Sequence, residues 1–450
     1  MPGRRTTTLS DAEILQIFDA IPLGSESKVE DSDSDDPDFV AGDDVVMHTS
    51  QLPDSDDEQS GSDNDDDDQN HSNKTVDAPK WKKSFSIRTS PDFSKSFGVP
   101  EALKQEIEDP TPVKIFDQFL SQDVIDLIVF QTNLYAQQSG KSYSPTNDDE
   151  IRSFLGMNVL IGVKKLPSYR DYWSSNPKLN DPFISKLMSQ NRFDWILSYL
   201  HLNDNVMMPN RKSIDYDKLY KVRPFLDIIL RNFKKCYLPG QEVVVDESTV
   251  KFKGRCSFKQ YNPMKPIKRG YKIWVLADKS GYFLNGEIYW GKSDQGVTKD
   301  LGGSVVRKLT TDLQGGFHKI FFDNYFASYD LVKDLKQQDL DSCGTVRKNR
   351  KKFPSQFKSD QSLKRGEHDW FISEDGIQSL KWKDKRVVHI VSSYHDPKTV
   401  VEVERKEKSG QTIKINCPIA VRDYNFNINF VDKFDQMKKA YEVDRKSHKW

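Results

Sequence analysis

The chain has 450 residues, 36% of them hydrophobic and 11% aromatic, which is enough apolar material for a sizeable core. Its four cysteines lack CxxC spacing, which argues against a disulfide scaffold and against a zinc finger within these residues. No apolar run approaches the roughly 18–20 residues of a membrane helix, and no signal-peptide pattern follows Arg4 and Arg5. We therefore expect a soluble, intracellular protein.

Charge divides the chain into an acidic leader and a basic body. Residues 1–100 hold 9 lysines and arginines against 23 aspartates and glutamates, whereas the other 350 residues hold 58 against 45. A short amphipathic helix is predicted over residues 9–20. Residues 30–68, with 17 carboxylates and neither Lys nor Arg, are predicted to be disordered, because they bury too little apolar surface to offset the entropy of ordering. The basic body favours a polyanionic partner, foremost nucleic acid.

Residues 110–240 are predicted to be mostly helical, because apolar residues recur near helical spacing behind a capping cluster at residues 146–149. Pro239 and Gly240 end this pattern, and strand-like segments follow. The first, "EVVVDEST", carries three consecutive valines that favour a strand buried on both faces. "YKIWVLAD" and "YFLNGEIYW" flank "KSG" and predict a hairpin, in which Asp278 is a turn former.

Acidic residues end two of the strand-like segments and lie within one predicted helix. Asp246 follows the valines, Asp323 follows the strand-like "KIFF", and Asp432 and Asp435 share one face of a predicted helix in "NFVDKFDQMKKAYE". Taken singly, an Asp at a strand end is usually a turn former or a helix cap. If two strand ends and one helix face meet at a sheet edge, their carboxylates would repel unless a cation binds them. Oxygen ligands without His or Cys favour Mg²⁺ or Mn²⁺, and two such ions would suit displacement at phosphorus.

Basic residues alternate with aromatic residues from Lys251 to Lys272, directly after the first Asp. The aromatic members of this segment are Phe252, Phe258, Tyr261 and Tyr271. Such a mixture can clamp phosphates and stack on unpaired bases. The alternative is a solvated loop anchored by a few aromatic side chains. A second cluster, "VRKNRKK" at 346–352, could contact DNA, serve as a localisation-like signal or be plain surface, and "PKWKK" at 79–83 is a weaker candidate import signal.

Four motifs in this order resemble the piggyBac transposase family. They are "VVVDESTVKFKGRCSFKQYNPMKPIKRGYKIWVLAD", "FFDNYFAS", "CGTVRKNRK" and "VDKFDQMK", and the likeness covers most of residues 110–450. The resemblance implies an α/β RNase H-like catalytic core with an inserted module, preceded by a mostly helical domain and a disordered acidic tail. The implied domains are residues 1–105 (disordered leader), 106–239 (helical, dimerisation and DNA binding), 240–349 (catalytic core), 350–418 (insertion) and 419–450 (the acidic helix).

The resemblance also implies a chemistry. Asp246, Asp323 and Asp432 fall on the family's three catalytic carboxylates, and Asp435 falls on a fourth acidic position. The family cuts and rejoins double-stranded DNA at TTAA sites, where a released 3′-hydroxyl forms a hairpin on the opposite strand and later attacks the target. By the same resemblance, the partners would be transposon ends, TTAA target DNA and, as a candidate, a second copy of the chain. The expected location is the nucleus.

Two departures from the family pattern qualify this expectation. Phe430 lies two residues before Asp432, where the family often has Gly. The chain also stops at Trp450, whereas family members usually continue through more helix and a cysteine-rich zinc module that recognises transposon ends. Three readings stay open: a metal-dependent transposase with an intact acidic site, a domesticated or truncated derivative that binds DNA or chromatin without catalysis, and a generic RNase H-like nuclease.

Overall fold

The computed structural model describes residues 78–84, 91–254, 256–263, 267–291, 300–407 and 409–441. The helix predicted at 9–20 and the acidic stretch at 30–68 lie outside these residues, and so does the end of the chain from 442 to 450. Among the helices within the described ranges, none is long and apolar enough to cross a membrane.

Helices occupy most of residues 101–236, as the apolar spacing predicts. They are α1 (Glu101–Glu106), α2 (Pro112–Phe119), α3 (Gln122–Gln138), α4 (Asp148–Val163), α5 (Pro182–Leu187), α6 (Gln190–Tyr199) and α7 (Arg223–Cys236). The predicted capping cluster does cap α4, because Asn147 Oδ1 accepts a hydrogen bond of 3.0 Å from the Glu150 amide. The helices enclose a core of their own around Ile125, Ile151 and Phe193.

Within the described residues, ten strands form one mixed sheet, and all of them except the first follow the helices in the chain. Its strands are β1 (Trp81–Lys82), β2 (Glu242–Lys251), β3 (Gln260–Tyr261), β4 (Arg269–Asp278), β5 (Phe283–Ile288), β6 (Lys319–Phe322), β7 (Asp341–Thr345), β8 (His368–Ser373), β9 (Gln378–Lys383) and β10 (Val387–Ser392). They run in the order β1-β8-β9-β10-β7-β6-β2-β4-β3, and β5 pairs with β4. The central pairs β2–β6 and β6–β7 are parallel, whereas the flanking pairs are antiparallel. Strands β11 (Val400–Lys406) and β12 (Thr412–Pro418) form a separate hairpin.

Helices cover both faces of the centre of this sheet. They are α8 (Leu301–Leu309) and α9 (Tyr329–Gln337) on one face, and α10 (Ile419–Asn427) and α11 (Phe430–Ala440) on the other. Val243 and Val245 pack into the first layer and Val244 into the second, and all three have no exposed surface. The prediction that the valine run is buried on both faces is therefore confirmed, and the alternation of strand side chains explains it.

The predicted hairpin and the role of Asp278 are also confirmed. Strands β4 and β5 pair antiparallel, and the Gly281 amide donates to the Asp278 carbonyl at 2.9 Å. The Asp278 carboxylate accepts from both the amide and the hydroxyl of Ser280, which fixes the turn. Gly281 has φ of 82°, the left-handed conformation that glycine adopts without strain.

Two parts of the expected disordered leader instead carry regular structure. Helix α1 begins at Glu101, and Trp81 and Lys82 form an edge strand on β8. The Trp81 indole donates to the Lys352 carbonyl at 3.1 Å and stacks on Phe353, with ring centroids 6.1 Å apart. The expected disorder of residues 1–105 is therefore corrected for these two stretches, and at Trp81 a large aromatic side chain with a distant packing partner orders the segment. Strands β8, β9 and β10 lie within the expected insertion at 350–418, and β10 joins them to the main sheet through β7.

Candidate active site

The register of β2 and β6 places two of the predicted acidic residues side by side. These strands are parallel, and their last aligned pair is Val245 with Phe322. Asp246 directly follows Val245 and Asp323 directly follows Phe322, and neighbouring strands lie about 4.8 Å apart. The two aspartates therefore meet where β6 ends, while β2 continues past it to Lys251.

The same two residues belong to the sheet face that α11 covers. Asp246 lies two positions after Val244, and Asp323 lies two positions after Phe321. Both of these apolar residues pack into the layer that contains Phe430 and Val431 of α11. Because side chains alternate along a strand, Asp246 shares the face of Val244. Asp323 lies just past the end of β6, where its carboxylate accepts a hydrogen bond of 2.8 Å from the Tyr325 amide.

Helix α11 carries Asp432 in its first turn and Asp435 one turn later. The structure shows a defined role for Asp435. Its Oδ1 accepts from the Ser248 hydroxyl at 2.5 Å and from the Lys438 ammonium at 2.7 Å. Ser248 is on β2, two residues after Asp246, so this contact fixes the acidic helix next to the first predicted catalytic residue.

Within the described residues, no three or more His, Cys, Asp or Glu side chains come together in a group that could hold a metal ion. The structure thus brings Asp246 and Asp323 to adjacent strand positions and packs α11 over the same face. It commits Asp435 to Ser248 and Lys438. Joint coordination by Asp246, Asp323 and Asp432 stays a prediction.

Glu247, the second carboxylate of "VVVDEST", does not belong to this group. It follows Asp246 directly and therefore faces the opposite side of the strand. Lys272 on β4 neutralises it with an ion pair of 2.5 Å, in which both side chains are about a quarter exposed. Adjacent carboxylates in the sequence are thus separated by the sheet, and only the first reaches the face that α11 covers.

A tyrosine that the sequence gives no reason to select lies beside the aspartates. Tyr424 on α10 has its hydroxyl 3.3 Å from the hydroxyl of Thr345. Thr345 follows Gly344, the register partner of Phe322, so it is the β7 neighbour of Asp323. Burial raises the pKa of the Tyr424 phenol well above its usual range, and the negative charges of Asp323 and Asp246 raise it further. The phenol therefore stays protonated and can donate a hydrogen bond in this acidic environment.

The segment from Lys251 to Lys272 has both structural and exposed aromatic residues. Phe252 stacks on Tyr271 at a centroid distance of 4.8 Å, and Phe258 packs on Tyr271 at 5.4 Å. These three are the anchoring aromatics of the alternative interpretation. Tyr261 differs, because 51% of it is exposed and the Arg269 guanidinium lies 5.3 Å from its ring centroid. An exposed aromatic ring with an arginine over it can stack on a base or contact a phosphate.

The amino-acid sequence is similar to a known protein family and to several human proteins. A family profile described as Transposase IS4 matches residues 111–450. The human protein PiggyBac transposable element-derived protein 2 is 32% identical over 96% of this chain, which spans 74% of that relative. Human PiggyBac transposable element-derived protein 3 is 30% identical over 82% of the chain, which spans 62% of it. The chain belongs to the piggyBac-type transposase family.

A solved structure supports this membership in three dimensions. The chain is similar to a piggyBac transposase whose cryo-EM structure is a synaptic complex with hairpin DNA, at a TM-score of 0.68 and 28% identity. The match covers 79% of this chain and 73% of that one. The resemblance inferred from the four sequence motifs is therefore confirmed. The mixed sheet with helices on both faces agrees with a transposase catalytic fold.

Phe430, where the piggyBac family often has Gly, has a packing role in this chain. It is the first residue of α11, only 6% exposed, and it belongs to the apolar layer between α11 and the sheet. The large side chain therefore attaches the start of the acidic helix to the sheet through buried apolar surface.

The basic cluster at 346–352 divides between structural and exposed groups. Arg350 donates to the carbonyls of Ala327 and Tyr325, and Lys352 pairs with Asp330 at 2.6 Å. These contacts hold the segment that follows β7 against the loop after Asp323 and the start of α9. Arg347 instead donates a hydrogen bond of 3.1 Å to the side chain of Asn324, the residue that follows Asp323. A short run of similar charges thus contains side chains with different roles.

Proposed function

We propose that this chain is a metal-dependent DNA transposase of the piggyBac type, which cleaves and rejoins strands at TTAA sites. Asp246, Asp323 and Asp432 would be its catalytic carboxylates, on an RNase H-like core. One observation carries the proposal: Asp246 and Asp323 occupy adjacent positions on parallel strands, on the face that α11 covers. Two carboxylates on neighbouring strands repel each other, so the pair suits cation binding better than it suits a folded core.

The side chains present fit a hard divalent ion by their chemistry. Asp246, Asp323 and Asp432 offer only carboxylate oxygens, which Mg²⁺ and Mn²⁺ prefer. An ion held there would stabilise the attacking and leaving oxygens during displacement at phosphorus. Asp435, the fourth predicted ligand, fits less well, because its carboxylate already accepts from Ser248 and Lys438.

The chain's own residues would bind and orient the DNA around this site. Arg269 lies over the exposed ring of Tyr261 near the end of β2, and Arg347 lies beside Asn324. Their cationic groups would contact phosphates, which position a duplex without reading its sequence. The protonated Tyr424 hydroxyl would donate to an anionic oxygen at the acidic face. This function further implies a nuclear location and, as a candidate assembly, a second copy of the chain at paired DNA ends.

A second candidate is a derivative that binds DNA without cutting it. Two observations favour it. Asp435, the fourth predicted ligand, is paired with Lys438. The curated relatives reported above are themselves named as derived from transposable elements.

One experiment separates these two functions. The full chain is incubated with a duplex that carries a piggyBac-type end and TTAA, with and without Mg²⁺, and both retained complex and nicked strand are measured. A transposase binds in both conditions and releases a 3′-hydroxyl only with Mg²⁺. Salt-sensitive binding with intact strands at every Mg²⁺ or Mn²⁺ concentration contradicts catalysis and leaves the binding function.

A further inference from the structure

The contact between α11 and β2 contains a lysine whose ammonium is surrounded by oxygens. Lys438 Nζ lies 2.7 Å from Asp435 Oδ1, 2.8 Å from the Ser248 hydroxyl and 3.2 Å from the Thr249 carbonyl. An ammonium has three N–H donors, so these three acceptors satisfy all of them. Ser248 in turn donates to Asp435 at 2.5 Å, which closes a ring of hydrogen bonds.

This group of contacts is partly buried, which distinguishes it from an ion pair on the protein surface. Ser248 is only 1% exposed, and the Lys438 and Asp435 side chains are 32% and 36% exposed. The lysine also lies 5.3 Å from the centroid of the Phe434 ring, on the same helix. A carboxylate, a hydroxyl and a carbonyl are the oxygen ligands that a hard metal ion would use, and here a covalently attached cation uses them.

We propose that the Lys438 ammonium holds the Asp435 carboxylate against Ser248. Asp435 then positions the acidic helix and is not a ligand of the catalytic metal. The metal site then consists of Asp246, Asp323 and Asp432. The part of this inference that concerns metal rests on the proposed function, whereas the part that concerns the attachment of α11 to β2 stands without it.

As a consequence, fewer dissolved cations are needed to balance the negative charge of the acidic face. The ammonium neutralises one of the four carboxylates in the absence of metal, and it connects α11 to two consecutive residues of β2. Its removal would leave Asp435 and Ser248 without their cation. A divalent ion could then take the vacated position, because the three oxygen acceptors would remain.

A double-mutant cycle tests the attachment by thermal unfolding of the full chain without metal. We expect Lys438→Met and Asp435→Asn each to lower the melting temperature by about 2–4 °C, and the double variant to fall no further than the worse single variant. Lys439→Met, the same change at an exposed neighbour on α11, should leave the melting temperature unchanged. Fully additive effects of the two single changes would overturn the attachment.

Counting bound Mn²⁺ by the electron paramagnetic resonance of the free ion tests the ligand assignment. Asp435→Asn should bind as many Mn²⁺ ions as the unaltered chain, and Mn²⁺ should raise the melting temperature of Lys438→Met by more than it raises that of Lys439→Met. Loss of one bound ion in Asp435→Asn would overturn the assignment. An unaltered chain that binds no Mn²⁺ would instead contradict the proposed function, while the thermal cycle still decides the attachment.

Discussion

Removal of the Asp423 side chain should loosen α10, the helix that precedes the acidic helix. Asp423 Oδ2 lies 3.1 Å from His395 Nε2, and His395 Nδ1 lies 2.8 Å from the Ser392 hydroxyl. The tautomer that satisfies both contacts has Nε2–H donate to Asp423 and Nδ1 accept from Ser392. His395 is 5% exposed and follows β10, so this contact joins the segment after β10 to α10.

The magnitude follows from what Asp423→Ala leaves unpaired. The buried imidazole N–H loses its acceptor, which costs about 1–3 kcal/mol. Alanine is the better helix former, by up to about 0.7 kcal/mol, and offsets part of this loss. The Arg422 side chain also pairs with Asp423 but is half exposed, so we assign that contact no contribution. The expected net loss is about 1–2 kcal/mol.

Urea unfolding followed by circular dichroism measures this difference. Asp423→Asn keeps an oxygen that can accept from His395 and is the matched control, with an expected loss below about 1 kcal/mol. An Asp423→Ala variant as stable as the unaltered chain would contradict a structural role for this contact. An Asn variant that lost as much stability as the Ala variant would contradict it too.

Three further predictions concern packing, pH and DNA contact. Gly270→Ala would place Cβ 2.2 Å from the Val250 carbonyl oxygen, so we expect about 1–3 kcal/mol of destabilisation in urea unfolding, whereas Gly240→Ala, with nothing within 4 Å, should be neutral. Burial lowers the pKa of His395 from 6.5 although Asp423 opposes it, so the unfolded chain takes up a proton below pH 6.5 that the folded chain resists. Stability should therefore fall as the pH drops through 6.5, and a His395→Gln variant with an equally steep slope would contradict this. Arg269→Gln should lower the salt slope of DNA binding by about 1, and an unchanged slope would exclude a phosphate contact.

Local patterns predicted the elements with a strong, regular signal. The valine run before Asp246 and the turn at Asp278 each follow from side-chain chemistry within a few residues. The strands at 368–392 gave a weaker pattern, because β9 buries the polar residues Gln378, Ser379 and Lys381. Lys381 is compensated by an ion pair with Asp360, outside that strand.

The remaining features depend on contacts between distant segments. Trp81 pairs in register with Ser373, so no local pattern could show that it belongs to the sheet. The position of Tyr424 beside the aspartates depends on how α10 packs over β7. The sequence pattern placed Asp435 on the acidic face of its helix, but the attachment of that residue to Ser248 required the three-dimensional structure.

Cleavage by active-site variants tests the central claim most directly. The rate at which the full chain nicks a TTAA-bearing transposon-end duplex in Mg²⁺ is compared with the rates of Asp246→Asn and Asp323→Asn. Asp312→Asn, which changes an exposed aspartate outside the acidic face, is the control. We predict that each active-site variant loses at least about a hundredfold in rate while the control keeps its rate. Undiminished nicking by either active-site variant would contradict the assignment of these carboxylates to catalysis.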